Sequence, residues 1–193
     1  MSKFKDLVLK NRSYRGYDNS VKQSREFLME LIDHARLMPA ARNAQPLKYF
    51  IAYDDEVVKK IQEHTRWAGS LSDLDLPFKG EEPSSFIVIL HDTDIIPTVA
   101  QFQHDVGIAA ATITLAATEA GLGCCMIGAY SAKGVKEAIK TPQNLVPVLV
   151  IALGEPIEKI VLTETNTQEV TYYRDEDNTH YVPKRKLEDI VVN

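Results

Sequence analysis

Three short apolar runs limit what this chain can fold into. Leu47 to Tyr53 (LKYFIAY), Ser85 to His91 (SFIVILH) and Leu145 to Leu153 (LVPVLVIAL) are rich in Ile, Val, Leu and aromatic residues. Runs of that length and composition read as buried strands. Helical patterns lie before and between them. Phe4 to Leu9 reads as a short helix. Ser24 is placed to cap a helix that runs to about Met38, where Pro39 stops it. Asp54, Asp55 and Glu56 put negative charge where a helix start favours it, and that helix is expected to reach about Trp67. A long helix is expected from Ile96 or Val99 to Ala120, ended by Gly121. It is apolar nearly all round from Val106 onward, which predicts packing on several sides. Cys124 to Ile127 reads as a short strand. Ser131 caps a helix to about Lys140.

At 193 residues the chain suits a single domain, residues 1–193, with a core over 1–155 and a C-terminal arm over 156–193. The arm is polar, and its apolar residues are widely spaced. RDEDNTHY, between YY and YV, resembles a hairpin turn. A segment of this kind can lie across its own domain or embrace a neighbouring subunit.

Lys and Arg total 22 against 27 Asp and Glu, a net charge of −5, which argues against a nucleic-acid partner. The longest nearly uncharged apolar stretch, Val106 to Thr118, is too short to cross a bilayer, so no membrane association is expected. The N-terminus lacks a signal-peptide core. Two adjacent cysteines, Cys124 and Cys125, suit a reducing compartment, and the expected location is cytoplasmic. They read as small core residues.

Charge is uneven along the chain. Residues 1–25 carry seven cations against Asp6 and Asp18, residues 54–94 carry four against ten acids, and Lys184-Arg185-Lys186 forms a second basic knot. Two small knots in an acidic protein suit one small anion better than a polyanion.

Three segments can carry chemistry. Arg12, Ser13 and Arg15, in NRSYR, can hold a phosphate through forked charged donors and a hydroxyl. Taken alone, a solvated helix end is the commoner reading. Pro39 to Pro46 (PAARNAQP) combines small residues with the amides of Asn43 and Gln45, which can meet heterocycle edges or satisfy local backbone. Gly121 to Tyr130 (GLGCCMIGAY) offers the backbone N–H groups of Gly128 and Ala129 to a ligand, or is an ordinary helix–strand connection. His91-Asp92-Thr93-Asp94 has metal-like letters but reads better as a surface turn.

Taken together, the segments resemble the flavin-dependent nitroreductase family. NRSYR matches its Arg-rich opening, PAARNAQPLKYF its loop into a strand, and DVGIAAATITLAATEAGLG its central helix. CCMIGAY and VPVLVIALGEP follow in order, and YYRDEDNTHYVPKRKLEDIV looks like the tail of its short-chain branch.

The resemblance implies an α+β fold with a mostly antiparallel central sheet flanked by helices. It implies a homodimer in which the C-terminal arm crosses to the partner and FMN lies at the interface. Arg12, Ser13, Lys184 and Arg185 then match phosphate and ribityl contacts, with Lys186 an alternative. Arg15 matches a cation near the flavin pyrimidine. Pro39, Ala40, Ala41, Asn43 and Gln45 match a loop that approaches the flavin, usually from the other subunit. Gly128, with Ala129 beside it, matches the amide facing flavin N5. Asn11 stands where many relatives have Arg, which shifts the phosphate toward the C-terminal knot. Asp105 is expected to be structural, bonding neighbouring backbone. The implied reaction is ping-pong hydride transfer from NADH or NADPH to a small electron-poor substrate such as a nitroaromatic or quinone. Alternatives are a same-fold flavoprotein with another reduction or flavin-fragmenting role, and a non-catalytic flavin carrier or sensor.

Overall fold

The computed structural model describes residues 2–166 and 168–192. In chain order its elements are α1 (Lys3–Lys10), β1 (Tyr17–Asp18), α2 (Arg25–Arg36), β2 (Leu47–Ala52), α3 (Asp55–Gln62), β3 (Ser85–Asp92), α4 (Gln103–Glu119), β4 (Gly123–Ile127), α5 (Ala132–Ile139), β5 (Leu145–Pro156), β6 (Ile160–Thr165), β7 (Tyr173–Arg174) and β8 (His180–Arg185).

The three apolar runs become β2, β3 and β5, side by side. The main sheet runs β1-β5-β3-β2, with β4 also against β5, and every pairing in it is antiparallel. β3 is buried along its whole length because both of its faces are covered. Strand alternation divides it. Ile87 and Ile89 meet α2 and α4 through Leu28, Leu31, Ala110 and Ile113. Phe86, Val88 and Leu90 meet α3 and α5 through Val58, Ile61, Val135 and Ile139. Each such side chain contributes roughly 1.5–3 kcal/mol when fully buried. The α+β architecture with an antiparallel sheet between helices is therefore as expected.

The same alternation sends Cys124 to one core and Cys125 to the other, and both are free thiols. Burial pushes the Cys125 thiol up to about 11. Neither is placed to act as a thiolate nucleophile.

Helix starts follow the sequence. Ser24 accepts from Phe27 N–H, Ser131 from Gly134 N–H, and Asp54 from the N–H groups of Glu56 and Val57. β5 runs past the expected Leu153 to Pro156, where it pairs with β1, and two helix extents also differ from expectation. α3 stops at Gln62 rather than near Trp67, because main-chain pairing takes over: Arg66 N–H donates to Ala129 O at 2.8 Å, and Thr65 bridges Tyr130. Residues 99–102 form a 3₁₀ turn, and α4 begins at Gln103. α4 is also not covered all round, since Gly107 and Ala111 are exposed and Ile108 and Leu115 only half-buried.

The tail builds a small second sheet, with β8 parallel to β6 and antiparallel to β7. The hairpin turn is as expected, with Asp175 accepting from the N–H groups of Asp177 and Thr179. In this structure the tail lies across its own domain, one of the two placements open to it, whereas the resemblance implies an arm that crosses to a partner. Among the described residues, no helix is long and apolar enough to cross a membrane.

Candidate functional site

The two chain ends meet over the outer edge of β4. After α1, Tyr14 N–H donates to Cys124 O at 2.9 Å, so residues 13–14 run alongside Cys124. Gly123 permits this approach. A Cβ there would stand 2.7 Å from Pro156 Cβ and 2.8 Å from Tyr14 Cδ2. Tyr17 OH donates to Tyr14 O at 2.7 Å, which fixes the turn into β1.

The tail is clamped onto this segment by charge. Glu158 accepts the backbone N–H of Arg15 and pairs with Arg174, and both side chains of that pair are 5% exposed. Desolvation raises the Glu158 carboxyl above its usual range, although the Arg15 N–H and the Arg174 charge pull it down. Arg15 is itself buried. Its Nη1 donates to Ser13 O at 3.2 Å, and its guanidinium carbon lies 4.9 Å from the centre of the Tyr172 ring.

Between segment and tail lies a cavity of about 370 Å³. Arg12, Ser13, Arg15 and Lys184 all line it. Arg12 donates to Val8 O at 2.8 Å, and burial lowers its pKa by disfavouring the charge. The Nε atoms of Arg12 and Arg15 are buried without a partner. Glu158, which bonds the Arg15 backbone beside this wall, is already committed to that N–H and to Arg174. Cations held in a concave site without balancing acids make a receptor for an anion.

A second cavity of about 170 Å³ is lined by Gly128, Ala129 and Trp67, and it shares Arg15 and Met126 with the first. The two cavities adjoin at Arg15 and Met126, the first walled by cations and the second bordered by the exposed residues Gly128 and Ala129.

The remaining expected residues lie elsewhere. Pro39, Ala40 and Gln45 line a separate cavity of about 180 Å³ with Asp105 and Ile108. Ala41 N–H donates to both carboxylate oxygens of buried Asp105, at 3.1 and 3.2 Å, which is the structural role expected for Asp105. Gln45 donates to Asn43 Oδ1 at 3.1 Å, so these amides satisfy each other while remaining exposed. Arg42, Asn43 and Gln45 hold φ of 53°, 52° and 50°, a left-handed backbone that side chains resist. Arg185 is also apart from the cleft. Alternation along β8 sends His180, Val182 and Lys184 to the cavity, while Arg185 reaches Gln168 at 3.5 Å.

The sequence reading missed Thr114, Tyr172 and His180 in the cavity wall. Asn11 donates to Thr114 Oγ1 at 3.2 Å, which ties the segment to α4. The period-two pattern of His180, Val182 and Lys184 could have shown that they share a face. His91 and Asp92 are not on a surface turn as expected but are the buried end of β3, where His91 Nε2 lies 2.6 Å from Ile96 O and Asp92 accepts from Asp94 N–H and Asn144; the turn begins at Thr93.

The model of the nitroreductase family matches residues 8–155. A protein of Archaeoglobus fulgidus named "Putative NADH dehydrogenase/NAD(P)H nitroreductase" is 28% identical over 159 residues, covering 78% of this chain and 83% of its own length. The solved nitroreductase family protein of Streptococcus pneumoniae TIGR4 superposes with a TM-score of 0.72 at 17% identity, over 99% of this chain and 100% of its own. A protein of Exiguobacterium sibiricum 255-15, solved in complex with FMN, superposes with a TM-score of 0.66 at 20% identity, over 82% and 90%.

Proposed function

Because the chain belongs to the nitroreductase family, we propose that it is an FMN-dependent oxidoreductase that uses NADH or NADPH to reduce a small electron-poor acceptor. The observation that carries this reading is the cleft itself, with three cations from both chain ends at one end and the Gly128–Ala129 backbone at the other. FMN has that shape, a phosphate monoester linked to a flat ring. The buried, unpartnered Nε atoms of Arg12 and Arg15 fit a ligand carrying negative charge. Further support comes from the family match, from the relative's name and from the FMN-bound fold neighbour.

In this reading Arg12, Ser13 and Lys184 hold the phosphate. Arg15 sits between the two ends and supplies a fixed positive charge toward the ring. When bound, FMN supplies a two-electron carrier that takes hydride from NADH or NADPH and then delivers it to a nitroaromatic or quinone in ping-pong order. The chain's own work is to bind, orient and set the field. Arg15 is held by Ser13 O, Tyr172 and the tail, so it need not reorganise as negative charge develops. The N–H groups of Gly128 and Ala129 can meet ring atoms that need donors.

The working unit in this proposal is a homodimer. The Pro39–Gln45 loop lies off its own chain's cleft but is exposed, so it can complete the partner's cleft. Ile108 and Leu115 leave one flank of α4 partly bare, and Leu37, Met38, Leu187 and Ile190 are exposed apolar side chains. Burying such side chains is what a dimer interface does.

The test is direct. The purified protein should be yellow, with one FMN per chain, and should bleach anaerobically on adding NADH or NADPH. A colourless protein that takes up no FMN rejects the reading. A yellow protein that neither cofactor reduces is a carrier rather than an enzyme. Sedimentation should give a dimer.

A further inference from the structure

One group in the cavity wall has no part in the proposed binding: the His180 imidazole, from β8. The residue is 1% exposed, and its Nε2 lies 3.2 Å from Arg15 Nη1. Arg carries only donors and keeps its charge at any ordinary pH. A hydrogen bond between these atoms therefore needs a lone pair on Nε2. That makes the ring neutral and puts its proton on Nδ1.

Nδ1 is buried with no partner. A buried N–H left unpaired carries a desolvation cost that no bond repays. The other tautomer would turn an N–H toward the guanidinium, and imidazolium would add a second charge there. The unpaired Nδ1–H is thus what the protein tolerates to keep an acceptor facing Arg15.

Burial and the nearby cations oppose a charged ring. Arg15 comes from the N-terminal segment, Arg174 from β7, and Lys184 lies further along β8 on the same cavity. Glu158, the acid in this cluster, is held by Arg174 and the Arg15 backbone. The Tyr172 ring lies 5.3 Å from the imidazole, centre to centre, and Cys124 lines the same wall as a buried thiol. Desolvation first, then the Arg15 and Arg174 charges, lower the imidazole from 6.5 to about 4.

We propose that His180 is a positioning residue for Arg15: its neutral Nδ1–H tautomer receives the guanidinium and fixes where that charge is presented in the cavity. Protonating the ring removes that acceptor and leaves the guanidinium to Ser13 O and the Tyr172 ring alone. The tautomer is a property of the protein itself, whereas its effect on flavin rests on the proposed FMN site.

Nitrogen-15 long-range NMR of the histidine rings in the full chain, with and without FMN, tests the tautomer. His180→Gln assigns the signal among the five histidines. A neutral Nδ1–H ring from pH 8 to about 5 that protonates near 4 is expected. An Nε2–H ring, or imidazolium at pH 7, overturns the inference whatever the flavin does. The second arm compares His180→Gln, which keeps an acceptor near the Nε2 position, with His180→Phe, which fills the space without one. Anaerobic flavin reduction by NADH should slow about tenfold in the Phe variant and return to within about twofold of wild type in the Gln variant. Equal rates in the two variants overturn the positioning role. If wild type takes up no FMN, the proposed function fails and the NMR result alone decides the inference.

Discussion

The cleft and the Pro39–Gln45 loop form an instructive pair. Both hold residues that resemble flavin contacts, yet they are built in opposite ways. The cleft gathers its cations from distant parts of the chain and fixes them with a buried ion pair, a close approach at Gly123 and the contacts around Arg15. The loop is local and exposed, and it holds three left-handed residues against one buried carboxylate. The difference teaches where each kind of precision comes from. A charged receptor must be rigid before its ligand arrives, or desolvation and reorganisation consume the attraction. A loop that only has to present small residues outward can be set by its own backbone.

The contrast can be broken most severely at Glu158. Glu158→Ala leaves Arg174 buried and unpaired and frees the Arg15 backbone, and should destabilise the protein by about 3–5 kcal/mol. A urea melt measures it, and a loss under 1 kcal/mol would mean that the tail is not clamped this way. Next come the cations. Arg12→Ala and Lys184→Ala should each weaken FMN binding about tenfold or more, with Arg185→Ala near wild type. Fluorescence titration decides this, and equal losses at Lys184 and Arg185 would remove the distinction that strand alternation draws between them.

On the loop side, effects should be smaller. Asp105→Ala removes the acceptor for Ala41 N–H and should cost about 1–3 kcal/mol, with faster proteolysis within 39–45. Cleavage no faster than in wild type would show that the loop does not depend on that bond. Smallest of all, Arg42→Gly should stay within about 0.5 kcal/mol of wild type, because relief of the left-handed backbone offsets glycine's greater freedom when unfolded. Arg42→Val should cost about 1–2 kcal/mol, since a branched side chain fits that backbone worst. If the two variants melt alike, the loop is not strained at this position.

Local patterns made the sheet and the helix starts legible. LKYFIAY, SFIVILH and LVPVLVIAL could be read as strands because burial on both faces leaves an unbroken apolar run, and Ser24, Asp54 and Ser131 act on their own next residues. Features that depend on distant partners were not legible. α3 overshot because nothing in residues 63–67 announces that Ala129 will take the Arg66 N–H. Lys184 and Arg185 looked equivalent because one residue of strand phase separates them. Strand spacing could put His180 on one face with Lys184, but not name its partner, an arginine 165 positions away.

The meeting of the chain ends at Gly123 also sets a schedule. A chain made from its N-terminus can pack α2, α4 and the main sheet while the tail is still being synthesised. The cationic cleft cannot exist until residue 184 has emerged and docked beside Arg12. On the proposed function, cofactor capture must wait for the tail, and a nascent chain stalled before that residue would hold a nearly finished core with Arg12 and Ser13 but no Lys184 to complete the grip on a phosphate.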